Sequence, residues 1–321
     1  MKSKFDVKKL VSYAGTLLMV VSLGFIARRF VVAGVDFSWL TSPWVVVGLF
    51  AVAFTEGLAM IVTSLNFRGL LKNISGVLVA KPLAMTVYLV SNLYKYIPGG
   101  VMYVAGRHRM VVETEDLTHG KLAFSTVVEG ALIAIGALLI ALTFSFEFAV
   151  EHMRQSDILS IVLIVIMVLL VAATVPLYIF RKRVFTAVKK FWATVELFKP
   201  LVLIKRFVFA VVLMFLWSFT FLLTIMLLGQ PVTMEIALPI MGLYLLSWLS
   251  GFLAPGAPSG IGVREFVMLT FLGGLVNESI LLAAMVIHRI VTMTGDVSAY
   301  GLALAYEKYA KREPQHGEQL Q

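Results

Sequence analysis

The stretch KYIPGGVMYVAGRHRM, residues 95–110, places a proline, a glycine pair and four basic side chains inside a strongly apolar chain. A second interruption, APGAPSGIGVREF, occupies residues 254–266. Glycine and proline release backbone N–H and C=O groups from the helical ladder, and in hydrocarbon such groups are costly unless they line a cavity or bind something. The fold turns on how these two stretches are read: each is either a kink in a membrane crossing or the tip of a hairpin that turns back.

With 60% hydrophobic and 14% charged residues, the 321-residue chain has too little polar surface for a soluble globule. Six apolar runs, at 10–27, 44–64, 120–146, 158–180, 207–228 and 279–305, each approach or exceed the roughly 20 residues a helix needs to cross a bilayer. The first is read as a retained span and not a signal peptide, because no small-residue cleavage site follows it. Cysteine is absent, which excludes disulfides and thiolate metal sites. The net charge of +9 resides mostly in short loops flanking the spans, where the positive-inside rule accounts for it without nucleic acid.

Two further apolar segments, 82–97 and 236–254, run into the interruptions and are followed by shorter apolar segments at 101–110 and 263–276. If both are re-entrant hairpins and the N-terminus is cytoplasmic, the inner segments 1–9, 65–81, 107–121, 181–206 and 306–321 carry four, three, three, eight and three Lys or Arg. The outer segments then hold only Arg28, Arg29 and Arg154. Were the first segment a single kinked span, the loop 181–206 with its eight basic residues would face outward, against the rule. Reading each hairpin as two short spans leaves the loop sides unchanged. The expected fold is therefore an all-α polytopic membrane protein with six full spans and two re-entrant broken-helix hairpins. Residues 1–150 (span, span, hairpin, span) and 151–306 form an inverted-topology repeat, followed by a disordered cytoplasmic tail at 307–321. At an offset of 160, Pro98 falls on Pro258, Gly100 on Gly260 and Glu129 on Arg289. Inverted repeats with broken helices that meet near the midplane are a transporter architecture.

Ionisable residues inside a membrane are candidates for function. The expected substrate-binding set is Lys95, Tyr96, Pro98, Gly99, Gly100 and Arg107 around the first tip, with Pro258, Gly260, Gly262, Arg264 and Arg289 around the second. Glu56, Glu129, Glu265 and His288 are the expected charge-coupling groups. The repeat register brings Glu129 and Arg289 to equivalent depths, where they could pair with each other or handle substrate or a proton. Arg107 and Arg109 read either as headgroup ligands or as cations snorkelling to the cytoplasmic interface. His288 reads as a proton carrier or a packing residue, Glu56 as a coupling or a packed carboxylate, and Asp296 as a cap or snorkelling group. New helices beginning near Val101 and Val263 would offer unpaired N–H donors to an anion. Trp39, Trp44, Tyr178 and Trp192 read as interface anchors. The basic and aromatic loop 181–206 suits an anionic leaflet. No catalytic constellation, metal motif or cofactor site is evident.

The segments KYIPGGVMYVAGR and APSGIGVREF, with Glu129 between them and His288-Arg289 after them, resemble the membrane domain of the lysylphosphatidylglycerol synthase family and its stand-alone flippase-like relatives. The likeness runs from the first span to the last, with Pro258-Ser259-Gly260 where the family usually reads Pro-Gly-Gly. It implies a multi-pass protein of the cytoplasmic (inner) membrane, both termini inside, that moves an anionic or phosphate-bearing lipid: a phospholipid, a glycolipid or a polyprenyl-linked lipid. The family's cytoplasmic aminoacyl-transferase domain has no counterpart in these 321 residues, so an enzyme is not expected. The alternatives are an integral-membrane lipid-modifying transferase and a non-catalytic partner of a lipid or envelope biosynthesis complex. Expected partners are membrane lipids, with a homo-oligomer or a lipid-biosynthesis enzyme as a further companion. The topology carries its own test: single cysteines at Ser156 and Asn277 should react with an impermeant reagent from outside, and those at Asn73 and Thr194 from inside. External labelling at Thr194 refutes the hairpin topology.

Overall fold

The computed structural model describes residues 38–96, 106–155, 200–253 and 260–317, together with Arg28. Every regular element among them is helical. A 3-10 turn over Ser38–Thr41 leads into α1 (Pro43–Ser75), and α2 (Lys81–Leu93) ends in a second 3-10 turn over Tyr94–Tyr96. Then follow α3 (His108–Val112), α4 (His119–Gln155), α5 (Pro200–Leu227), α6 (Met234–Leu253), α7 (Val263–Leu272) and α8 (Glu278–Gly317). The boundaries obey local chemistry. Pro43 opens α1, where its missing N–H is no loss, and Gly76 closes it in the left-handed region, its N–H donating to the Lys72 carbonyl at 2.9 Å.

Five helices, α1, α4, α5, α6 and α8, are long and apolar enough to cross a membrane. The distribution of side chains fits an all-α membrane protein. Large apolar groups such as Phe50, Phe54, Leu58 and Val62 of α1 are exposed, whereas Glu56, Thr63 and Ser64 of the same helix are buried. Lipid tails are as apolar as leucine, so helices associate through small and polar residues rather than through hydrophobic burial. The tightest crossing illustrates this. At Gly57 of α1 and Gly295 of α8 the backbones approach so closely that a Cβ on Gly295 would stand 2.6 Å from the Ala53 carbonyl oxygen and 2.9 Å from Glu56 Cβ.

The helices pack in an exchanged pattern. α2 lies against α8, with Thr86 Oγ1 donating to the Ala303 carbonyl at 3.3 Å, and α6 lies against α4, where Gly242 faces Ser145. α1 packs on α8, α5 on α4, and α1 on α5. α7 folds back along α6: Ser247 Oγ donates to the Arg264 carbonyl at 2.8 Å, and a Cβ on Gly260 would meet Gly251 Cα at 2.5 Å. Both ends of this α6–α7 unit meet on one face, where the Asn277 N–H donates to Gln230 Oε1 at 3.0 Å. On the first unit, Lys121 Nζ donates to the Ser75 carbonyl at 3.2 Å, joining the start of α4 to the end of α1.

Four of the six expected spans fall on α1, α4, α5 and α8; the runs at 10–27 and 158–180 lie outside the described residues, as do Pro98, Gly99, Gly100 and Pro258 at the tips and residues 181–199 of the basic loop. Residues 200–206, expected in that loop, are instead the first turns of α5. The tail expectation needs correction as well: α8 continues as helix to Gly317. Glu307 holds its extension, paired with Lys311 one turn on at 3.0 Å and with Arg109 at 2.7 Å.

The Gly57–Gly295 crossing predicts that Gly295→Leu destabilises the protein by about 1–3 kcal/mol, the usual cost of overpacking. Gly301→Ala, with nothing within 4 Å of its added Cβ, should be neutral or slightly stabilising. Thermal unfolding in detergent measures both; equal stability of the Gly295→Leu variant contradicts the crossing.

Candidate functional site

Three ionic constellations and one isolated cation gather around the ends of α2 and α6. Arg107, in the turn before α3, is fully buried. Its guanidinium donates to Glu129 Oε2 at 3.1 Å and to Thr126 Oγ1 at 3.0 Å, two acceptors that one face of α4 presents three residues apart. The group lies over the rings of Phe67 and Tyr88, 4.1 and 4.4 Å from their centroids, and the Tyr88 hydroxyl donates to the other Glu129 oxygen at 2.8 Å. A buried ion pair repays its desolvation only when further hydrogen bonds and close geometry support it. Here hydroxyls and two aromatic faces supply that support.

The start of α7 carries the same device with its charges exchanged. Glu265, in the first turn of α7, pairs with Arg289 of α8: Arg289 Nε donates to Oε1 at 2.7 Å, and a terminal nitrogen lies 2.5 Å from the same oxygen. Glu265 Oε2 accepts the Gly262 N–H at 2.6 Å, so the carboxylate also caps its own helix. The α7 N-terminus, expected to receive an anion from outside, thus already holds one from within. The two pairs differ in burial. The side chains of Arg107 and Glu129 are 1% and 4% exposed, whereas Arg289 is 28% exposed.

The third constellation centres on Asp296, one residue past the helix crossing. Asn92, Lys95 and Tyr96 lie on one face of the chain at the end of α2 and all reach it, at 3.0, 2.7 and 2.7 Å. Asp296 is therefore a buried hub and not the snorkelling or capping group expected of it. Glu56, buried on the other side of the crossing, accepts a 2.5 Å hydrogen bond from Thr220. His288 has both ring nitrogens engaged, Nδ1 with Thr224 at 3.1 Å and Nε2 with the Tyr244 hydroxyl at 3.2 Å, and packs edge-on against Phe221 and Tyr244. Arg264 differs from every other cation near the tips. Its side chain lies across Gly251 and near the Trp248 ring, and among the described residues it makes no ion pair.

Several expectations change accordingly. Glu129 and Arg289 do not pair with each other: Glu129 binds Arg107, in the turn before α3, and Arg289 binds Glu265, in the first turn of α7. Arg107 does not snorkel: the Phe67 and Tyr88 rings and the Glu129 carboxylate enclose it. Arg109 alone of that pair sits in an accessible position, bridging Glu113 and Glu307. Lys95 and Tyr96 reach Asp296, and Gly262 serves the α7 cap. The residues the sequence did not single out are Asn92, Tyr88, Thr126, Thr220, Tyr244 and Asp296 as a hub. One signal was present, Asn92, Lys95 and Tyr96 at helical spacing, but their common acceptor lies some 200 residues away.

These features define a helical membrane protein with ion pairs buried among its apolar helices. No family model matches the chain, and no curated protein matches it in sequence.

The pairing predicts the outcome of double-mutant cycles. Glu129→Gln should cost about 3–5 kcal/mol by leaving Arg107 uncompensated, and Arg107→Gln should restore much of it in the double variant. Glu129→Gln with Arg289→Gln should be additive, since the two belong to separate pairs. Thermal unfolding measures both cycles, and strong coupling in the second would contradict the geometry.

Proposed function

We propose that the chain is a lipid translocase of the cytoplasmic membrane that passes an anionic or phosphate-bearing headgroup between two hairpins while the acyl tails stay in the bilayer. The carrying observation is the charge-exchanged pairing, in which each hairpin is fastened by an ion pair to the span that follows it. Glu129 and Arg289 lie ten and eleven residues into α4 and α8, so at about 1.5 Å per residue both sit near the middle of a core about 30 Å thick. Ion pairs at that depth are expected of a protein with a polar path through the membrane.

The inverted repeat belongs to the same reading. Under it α2 corresponds to α6, α4 to α8 and α1 to α5. Each helix contact then has a counterpart: α2 on α8 with α6 on α4, α1 on α8 with α5 on α4, and α1 on α5 with itself. Both ends of the α6–α7 unit lie on one face, as a re-entrant hairpin requires. Resemblance to the flippase-like relatives of lysylphosphatidylglycerol synthase adds weight. The set of headgroup ligands is narrower than the sequence suggested, because Arg107 is enclosed with Glu129 and Arg289 is bound to Glu265. Arg264 is the cation available to substrate, and the more accessible second hairpin is the moving element. An integral-membrane transferase, the alternative, requires a nucleophile or general base beside a donor site. His288, the histidine of this cluster, is engaged at both nitrogens.

Purified protein in liposomes tests the reading: it should move labelled lipid between leaflets without changing its chemistry. Gly260 adopts φ +70° and stands against the Gly251 backbone, so Gly260→Leu strains the second hairpin twice over. That variant should insert and be recovered from the membrane yet lose translocation by at least about tenfold. Wild-type transport in Gly260→Leu refutes the role of the tip, and a chemically altered lipid product supports the transferase.

A further inference from the structure

Two buried hydrogen-bond donors lie against the same indole ring and have no acceptor among the described residues: Arg264 Nε and Trp217 Nε1. The Arg264 guanidinium carbon is 5.7 Å from the Trp248 ring centroid, and the Trp217 ring is 6.1 Å from it. Both groups can only donate, since neither guanidinium nor indole offers a lone pair. A buried donor without an acceptor is unfavourable, and two on one ring mark the place of a ligand that brings acceptor oxygens. The charge there narrows the class. Arg289 interacts electrostatically with Arg264 but is already matched by Glu265, which leaves one positive charge over.

We infer that Arg264, Trp217 and Trp248 form a binding site for a singly charged phosphate ester, its oxygens accepting from Arg264 Nε and Trp217 Nε1 beside the Trp248 ring. Space for the Arg264 stem is built in, since a Cβ on Gly251 would stand 2.5 Å from Arg264 Cγ. The site also has an apolar exit. Trp248 stacks on Phe252 at 5.1 Å between centroids, and Phe252 is exposed on the apolar surface. An ester held at Arg264 can thus extend its substituent along Phe252 toward the bilayer. The inference deepens the translocase reading by naming the residues of its headgroup site, but the site can be tested without transport.

Isothermal titration of the purified full-length chain in detergent, with dihexanoyl phosphatidylglycerol and separately with sodium phosphate, measures binding directly. Arg264→Gln should weaken binding of the phosphate compound about tenfold or more, as expected for loss of a charge-assisted hydrogen bond. Trp217→Phe, which keeps a ring and removes only the N–H, should weaken it about three- to tenfold. Saturable binding of the lipid alone assigns the ester to a headgroup; comparable binding of both probes assigns it to a phosphate oxyanion of either source, and both results support the site. If Arg264→Gln does not fold, Arg264→Lys with Trp217→Phe replaces it, because the pair retains charge and ring. Wild-type affinity in every folded variant, or no binding of either probe to the wild type, overturns the inference. Binding by the wild type without lipid movement in liposomes would sink the translocase reading while leaving the site intact.

Discussion

The structure depends on one constraint: a charge taken into a medium of low dielectric must meet an opposite charge and have its remaining hydrogen-bonding capacity filled. Arg107 finds its opposite charge in Glu129 and is held further by Thr126 and two aromatic faces, and Glu265 finds its own in Arg289 and also accepts from the backbone of its own helix. Removing one partner from such a pair is far more disruptive than never having had the pair. The turn that carries Arg107 and the short helix that carries Glu265 are thereby fixed to the long helices α4 and α8. Asp296 extends the principle across the molecule, drawing Asn92, Lys95 and Tyr96 onto α8 beside the contact of Gly57 with Gly295.

The two pairs are alike in placement and unlike in accessibility, and the difference bears on which part can move. The first is dry and bounded by aromatic rings, so separating it would strand two charges at once. The second keeps a quarter of Arg289 exposed, and its carboxylate is shared between a cation and a helix cap. Glu129 too has a second partner, the Tyr88 hydroxyl, so it is the exposure of Arg289 that separates the two pairs. This makes the α6–α7 unit the easier of the two to rearrange, and it also bears Arg264, which makes no ion pair among the described residues.

Buried polar groups outside the ion pairs follow the same economy at smaller scale. Thr220 and Thr224, one turn apart on α5, serve Glu56 and His288 respectively, so a single helix face satisfies two groups on two other helices. Tyr244 meets the second nitrogen of His288 and packs on Phe221. A histidine so held is a structural joint among α5, α6 and α8. Arg264 and Trp217 lie outside any such ion pair, and among the described residues Arg264 Nε and Trp217 Nε1 have no acceptor.

Much of the architecture is legible in the sequence because it depends on local properties. Hydropathy marks α1, α4, α5 and α8, and Pro43 and Gly76 mark the two ends of a helix through their own backbone preferences. The ionisable residues of the interior, Glu56, Arg107, Glu129, Arg264, Glu265 and Arg289, are conspicuous for the same reason: each is costly in an apolar segment wherever it ends up. What a linear pattern does not contain is the partner. The 160-residue offset suggests that Glu129 and Arg289 meet, yet each binds a residue some two dozen positions away, because pairing is decided by which side chains converge once the helices pack. Asp296 reads in sequence as a cap or snorkelling group, and only the packing of α8 against α2 brings it to Asn92, Lys95 and Tyr96. The sequence by itself determined that this is a helical membrane protein with charges buried in it. The tertiary structure decided which charges neutralise one another and which cation is left over, since distance and burial in three dimensions, not spacing along the chain, set the energy of an ion pair.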